Sequence, residues 1–381
     1  MTNSDNKRKK IINVPPLRFP SFTDKWKEST IGNVVKIGNG RDYKHLGNGS
    51  IPVFGTGGYM TSVDDYLYDG ETVFIGRKGS IDKPFYFSGK FWTVDTLFYT
   101  YDFNGVIPKF LYSIFQRINW KKYNEASGVP SLSKATIEKI KFKYPLSPEQ
   151  DKISRLLSLI DERLATQNKI IDNLQSLIKG LIQRLSQEGL ANRRWQKISL
   201  SEILTERNEL NADYLPVHSV SVSAGVVNQV EYLGRSFAAK DTAHYHVVYN
   251  GDIVYTKSPT GNQPFGIVKQ SHCMTPVAVS PLYGVYQPHS FEVGNYLHYY
   301  FLNPLNTNNY LSPLIQKGAK NTINISNQRF LENRIPLPID EMEVKLVSDS
   351  LSALDKKLML EFTVLTSLKR QKNFLLRNLF I

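Results

Sequence analysis

Leu157-Ser-Leu-Ile160-Asp161-Glu-Arg-Leu164 returns 194 positions later as Leu351-Ser-Ala-Leu354-Asp355-Lys-Lys-Leu358. The echo continues at the same separation through Leu174 and Leu368, Leu181 and Leu375, and Leu185 and Leu379. Each copy lies in a stretch whose apolar residues advance by alternating steps of three and four, the seam of a coiled-coil helix. The first seam is Leu157, Ile160, Leu164, Ile171, Leu174, Ile178, Leu181 and Leu185, with Gln167 in the remaining position. The second is Val347, Leu351, Leu354, Leu358, Leu365, Leu368, Leu375 and Leu379, interrupted at Glu361 and Lys372. The spacing predicts helices over 150–188 and about 343–380. Ser147-Pro148-Glu149-Gln150 offers a start for the first helix and Gly189 a stop. A leucine stripe is more often the inner face of an ordinary amphipathic helix. Two helices of ~35 residues, well beyond the usual ~10–14, with a polar residue at the same heptad position, fit pairing with each other. Chain order makes that pair antiparallel, because the second helix has to run back along the first.

Three further pairs of segments keep the same order. Trp26, Ile31 and Val34 recur in spacing as Trp195, Leu200 and Ile203. Asp69-Gly70-Glu71 opens a β-branched and aromatic strand, as does Asn250-Gly251-Asp252. Gly128-Val-Pro-Ser-Leu132-Ser133 with Ile137 matches Gly318 to Ile325-Ser326 with Phe330. The period is near 190 residues, and four ordered matches imply an internal duplication. Residues 36–66 and 207–247 do not resemble each other, so the scaffold repeats while the surface between its parts differs. The expected fold is α+β, with two globular domains separated by two long antiparallel coiled-coil helices and related by a pseudo-two-fold axis.

The 381 residues carry a net charge of +13 with pI about 9.4, which suits a polyanionic partner. Cys273 is the only cysteine, so no internal disulfide can form. No apolar run approaches the ~20 residues of a membrane helix, and the polar, basic start of the chain is unlike a secretory signal. A cytoplasmic protein with no membrane partner is expected.

The alternation of variable region, long helix, variable region, long helix resembles the specificity (S) subunit of type I restriction–modification systems, the HsdS family. Short stretches support the likeness: Pro15-Pro-Leu-Arg-Phe-Pro20 with Trp26, Tyr144-Pro-Leu-Ser-Pro-Glu-Gln150, Gly251-Asp-Ile-Val-Tyr-Thr-Lys257 and Asn373-Phe-Leu-Leu-Arg-Asn-Leu-Phe380. The second copy departs from the pattern at Pro336-Leu-Pro338, which lacks the Pro-Glu-Gln of the first. The resemblance implies a flexible tail over 1–20, target-recognition domains over 21–148 and 189–340, and conserved spacer helices over 149–188 and 341–381. It implies a non-catalytic subunit that reads an asymmetric bipartite target on double-stranded DNA, one domain per half-site. It also implies two modification (M) subunits docked on the helices and restriction (R) subunits joined through the complex. S-adenosylmethionine, ATP and Mg would then belong to those partners, with no cofactor on this chain.

Candidate DNA contacts are basic or amide residues beside glycines on loops, where the backbone can approach a ligand closely. In the first domain these are Arg41, Lys44, Arg77, Lys78 and Lys83; in the second, Lys240, Lys257, Thr260, Asn262, Gln263, Lys317, Lys320 and Asn321. Arg77 and Lys257 rank first because each follows a repeated strand. A solvated turn is the plain alternative for any one of them. Catalytic readings are poorer. No phosphate-binding loop pattern occurs. His244, His246, His272 and Cys273 lack the usual zinc spacing, and Asp69, Glu71, Asp82 and Asp95 lack a placed lysine for nuclease chemistry. Two rivals remain: a coiled-coil nucleic-acid adaptor unrelated to methylation, and a metal-dependent nuclease.

Overall fold

The computed structural model describes residues 14–235, 238–257, 259–261, 263–317 and 323–381. They form two compact units, one of the described residues up to Gln167 with Val364–Ile381, the other of Asn168–Thr363. In the first unit the strands are β1 (Lys27–Thr30), β2 (Lys36–Asn39), β3 (Asn48–Gly55), β4 (Gly58–Val63), β5 (Tyr68–Gly76), β6 (Phe85–Thr93), β7 (Leu97–Tyr101) and β8 (Lys141–Tyr144). Its helices are α1 (Ile31–Val34), α2 (Pro108–Arg117), α3 (Lys134–Glu138) and the first part of α4 (Ser147–Ala191). Six strands form one sheet in the order β2-β7-β5-β6-β3-β4, antiparallel except where β3 meets β6. Successive residues of β5 point to opposite faces. Val73 and Ile75 join the core under α2, while Phe74 joins an aromatic cluster with Phe54, Phe91 and Leu97.

β1 and β8 form a separate antiparallel ribbon, and β8 runs on into α4. Glu149 and Gln150 explain why the chain turns there. Arg18 grips the buried Glu149 carboxylate with two hydrogen bonds of 2.8 and 2.7 Å. The Gln150 amide accepts from Ile107 N–H and donates to the carbonyls of Gly105 and Pro145. One turn further on, Ile153 and Leu157 share the unit's main core with Leu376, Leu379 and Phe380 from the end of the chain. Trp26 packs edge-on against Phe110 and Phe380, and Lys372 pairs with Asp161 at 2.5 Å.

The second unit contains the rest of α4, then β9 (Trp195–Ser199), β10 (Leu204–Glu206), β11 (Val217–Ser221), β12 (Gly225–Asn228), β13 (His246–Val248), β14 (Ile253–Tyr255), β15 (Val268–Gln270), β16 (Val277–Val279), β17 (Gly284–Pro288), β18 (Gln316–Lys317), β19 (Ile323–Asn324) and β20 (Arg334–Pro338). Its helices are α5 (Gln229–Leu233), α6 (Phe291–Tyr300), α7 (Pro304–Leu311), α8 (Asn327–Phe330) and the first part of α9 (Glu341–Asn378). β9 pairs antiparallel with β20, which leads into α9 as β8 leads into α4. Trp195 meets Tyr296 of α6 edge-on, as Trp26 meets Phe110 of α2. Ser133 and Ser326 each cap the short helix that follows, accepting from the backbone N–H of Thr136 and Arg329. Trp26, Ile31, Val34, Leu132 and Ile137 are buried, and so are Trp195, Leu200, Ile203, Ile325 and Phe330.

Between these like parts the units diverge. Where the first has one six-stranded sheet, the second has two four-stranded sheets, β10-β17-β14-β15 and β12-β11-β16-β13. The split falls where the two halves of the sequence do not match, since β11, β12 and α5 lie within 207–247.

Three details correct the helix limits. α4 extends beyond 150–188 at both ends, and Gly189 lies inside it rather than stopping it. This glycine is needed for space: a Cβ there would lie 2.2 Å from the indole of Trp195. That indole is fixed, buried and donating its N–H to Glu343 Oε1 at 2.9 Å. α9 begins at Glu341 and ends at Asn378, leaving Leu379 and Phe380 beyond the helix but buried. Toward the end of α4 the buried residues are Ile171, Leu174, Ile178, Ile182 and Ser186, while Leu181 and Leu185 are half-buried. The buried positions leave the strict heptad line here, because steps of four advance faster than the 3.5-residue average of a heptad seam.

Two glycines of α4 should therefore respond oppositely to alanine. Gly180 has nothing within 4 Å of an added Cβ, so Gly180→Ala should stabilise by about 0.5–1 kcal/mol. Gly189→Ala has to displace Trp195 and should lower the unfolding midpoint, with a cost of about 1–3 kcal/mol typical of overpacking. Thermal unfolding followed by circular dichroism measures both, and equal shifts would refute the packing role of Gly189.

Candidate nucleic-acid interface

In the first unit three of the basic candidates hang on one short connection, the turn between β6 and β7. Gly40 N–H donates to Leu97 O, and a Cβ on Gly40 would lie 1.9 Å from Val94 O, so only glycine fits. Arg41 N–H donates to Thr93 O at 2.8 Å, and the buried Trp92 indole donates to Arg41 O at 3.0 Å. On the other side of the turn, Arg77 and Lys78 N–H both donate to Thr96 O. Arg77 reaches Asp95 O with its guanidinium at 3.2 Å and lies 6.0 Å from the Phe98 ring centre. Its own carbonyl accepts from Leu132 N–H, so the turn is tied to the loop before α3. Arg41 and Lys78 are exposed and Arg77 half-buried, held by backbone that cannot shift without breaking this network. Lys44 is exposed just beyond Arg41. Lys83 is exposed next to Asp82, whose carboxyl is held below its ordinary range by Lys121 at 2.9 Å. Trp92 was not singled out in the sequence, because its partner Arg41 is 51 residues away.

In the second unit Lys257 is half-buried at the end of β14, and Lys240 is exposed on a separate loop. Thr260 and Gln263 exchange backbone hydrogen bonds of 3.0 and 2.9 Å. Thr260 is exposed and Gln263 is buried. Asn262, Lys320 and Asn321, and the side chain of Lys317, lie outside the described residues.

The candidate helix-pairing residues fall into two burial classes. Leu157, Ile171, Leu174, Ile178, Leu351, Leu358, Leu365 and Leu368 are buried, and Gln167 with them. Ile160, Leu164, Leu181, Leu354 and Leu375 are half-buried.

Of the four carboxylates Asp69, Glu71, Asp82 and Asp95, two are engaged elsewhere. Glu71 accepts from the Tyr86 hydroxyl and Asp82 pairs with Lys121. Among the described residues no group of three His, Cys, Asp or Glu side chains is placed to hold a metal ion, and no helix is long and apolar enough to cross a membrane. Titratable side chains do gather inside the second unit, where Lys269, His272 and His298 pack beside Asp355 of α9. Gln270 N–H donates to His298 Nδ1 at 3.1 Å, and the His272 and His298 rings are 5.7 Å apart. Burial pushes the Lys269 ammonium down to about 8 against the pull of Asp355, and holds both imidazoles below their ordinary value.

Comparison with known proteins gives a consistent answer. Residues 23–176 match the family model of the type I restriction modification DNA specificity domain. The specificity subunit of the MjaVIII type I restriction enzyme from Methanocaldococcus jannaschii is 28% identical over 142 residues, 36% of this chain and 31% of that protein. The chain thus aligns with about a third of the length of that curated relative. The crystal structure of the type I restriction–modification S subunit from M. genitalium has the same fold, with a TM-score of 0.64 at 15% identity, covering 97% of this chain and 99% of that one. Residues 23–176 are thus similar to the DNA specificity domain of type I restriction–modification systems, and the fold is that of a specificity subunit.

The buried lysine gives the second unit a recognisable pH dependence. Lys269 is forced toward its neutral form in the folded state, so the unfolded chain binds more protons between pH 8 and 10.5 and stability rises across that window. The shift corresponds to about 3 kcal/mol. His272 and His298 act in the same sense lower down, so stability falls as pH drops below 6.5. The buried tyrosines, whose hydroxyls are pushed up by burial, act in the opposite sense near pH 10, so the Lys269 contribution is read as a difference: on urea unfolding at pH 7 and pH 9, the wild type should gain stability relative to Lys269→Met. A wild type that gains nothing relative to that variant would contradict the burial of this ammonium.

Proposed function

We propose that this chain selects DNA for a type I restriction–modification complex, reading an asymmetric split target and performing no chemistry itself. The observation that carries the proposal is that the two units share one frame and differ in the sheets built on it. A frame that recurs in both units supports two readers, and unlike sheets support unlike half-sites. The target-recognition domains are the regions before α4 and between α4 and α9, and the spacer helices are α4 (Ser147–Ala191) and α9 (Glu341–Asn378).

The long helices α4 and α9 support the rest of the reading. Antiparallel pairing is favoured by the meeting of Ile153 and Leu157 with Leu376 and Leu379, and by the Asp161–Lys372 ion pair. Such a pair acts as a spacer between readers and as a docking surface for two modification subunits. Those partners bring S-adenosylmethionine, and restriction subunits bring ATP and Mg. The net charge of +13 gives the electrostatic part of binding, which is strongly salt-dependent. Arg41, Lys44, Arg77, Lys78 and Lys83 serve one half-site; Lys240, Lys257, Thr260, Asn262, Gln263, Lys317, Lys320 and Asn321 serve the other. The complex works where the chromosome is, in the cytoplasm.

Mapping methylated adenines in a host with and without this gene tests the proposal, and one bipartite motif should vanish on deletion. Arg77→Ala should blur one half of that motif, with a loss of about 1–3 kcal/mol of discrimination, and leave the other half sharp. A motif with no gap, or unchanged selection by the variant, would count against the reading.

A further inference from the structure

A group of polar side chains in the second unit is left incompletely bonded by the fold. Lys257 has a left-handed backbone, φ 58°, which residues with a side chain rarely adopt. It is held there by its neighbours. Thr256 N–H donates to Ile267 O, Ile267 N–H donates back to Thr256 Oγ1, and an added Cβ on Gly266 would lie 2.9 Å from Lys257 N. The half-buried ammonium feels the charge of Glu206 on β10, yet no hydrogen bond or ion pair closes on it among the described residues. Glu206 Oε1 accepts from Asn327 Nδ2 at 2.7 Å, while Oε2 accepts nothing among the described residues. Asn327 Oδ1 is buried without a partner, and so is Nδ1 of His246, which feels both Glu206 and Lys257. Tyr255, two residues before Lys257, and Tyr286 stack on Phe330 at 4.6 and 4.8 Å, and Tyr286 donates to Asn327 O.

An aromatic stack thus adjoins a cation and a carboxylate that feel each other's charge, and among the described residues no hydrogen bond or ion pair joins the two. In the major groove a G·C pair presents two adjacent acceptors, guanine O6 and N7, beside one donor, cytosine N4–H. Lysine satisfies the first pattern and glutamate the second. Resting on the DNA-reading function proposed above, we infer that Lys257 and Glu206 read one G·C pair in the second unit's half-site. Lys257 donates to the guanine edge, Glu206 accepts from cytosine, and Asn327 is a positioning residue that fixes the carboxylate. The strained backbone keeps the ammonium from collapsing onto Glu206, and the cost of holding two unpaired charges is recovered only when the base pair arrives.

The test is selection of bound duplexes from a random pool by the full chain, comparing wild type, Glu206→Gln, Lys257→Gly and Arg77→Ala. Lys257→Gly removes the ammonium and suits the backbone, and Glu206→Gln keeps the contact with Asn327, so neither disturbs the core; circular dichroism checks this. The expected result is a G·C column that loses about 10–100-fold preference in both second-unit variants, in the half-motif that Arg77→Ala leaves sharp. Retention of that column by both variants, an A·T pair in its place, or a uniform weakening of all columns overturns the inference while the split target stands. A wild type that selects no split motif overturns the DNA-reading function itself.

Discussion

A helix of 45 residues carries an apolar stripe that it cannot bury alone. Everything else in this chain follows from how that stripe is covered. At the start of α4, Ile153 and Leu157 are covered by Leu376, Leu379 and Phe380 from the chain's other end, so the two extremes of the sequence share one core with Trp26 and Phe110. Burial of each such side chain contributes about 1.5–3 kcal/mol, and the Lys372–Asp161 ion pair adds direction more than stability. The first unit is therefore completed only by the last residues of the chain.

That constraint separates what has to repeat from what is free to vary. The Trp-centred ribbon, the serine-capped helix before the last strand and the strand that runs into a long helix occur in both units, and their apolar residues are buried in both. The strands between them meet no such demand. One unit closes a six-stranded sheet with an aromatic cluster; the other divides its strands into two sheets. Loops at the ends of those strands carry the exposed cations, anchored by backbone hydrogen bonds rather than by the variable side chains. Those loops can then change without disturbing the frame, as the proposed selection of DNA requires.

Much of the frame was legible in the sequence, because helical seams and the Trp-x4-aliphatic-x2-aliphatic spacing are local patterns fixed by side-chain period. The limits of α4 were not, because Gly189 reads as a stop until the Trp195 indole packed against it is seen. The division of the second unit into two sheets was equally hidden, since strand pairing is set by long-range register. In the interface, Arg41, Arg77 and Lys78 were recognisable as basic loop residues beside glycines. Their common attachment to the Thr93–Thr96 turn was not, nor was the link between Glu206 and Asn327, 121 residues apart. Charge and loop chemistry identify candidates; which of them act together depends on contacts far apart in the chain.

The proposed function requires that α4 and α9 together set the distance between two readers. Inserting one heptad after Asn168 in α4 and one after Thr363 in α9 preserves the seam and lengthens the pair by about 10 Å, equivalent to about three base pairs of DNA. Mapping the methylated motif of that variant is the direct measurement. The account predicts both half-motifs unchanged and the gap between them longer by about three base pairs. Two intact half-motifs at the original gap would show that the helices do not set the spacing.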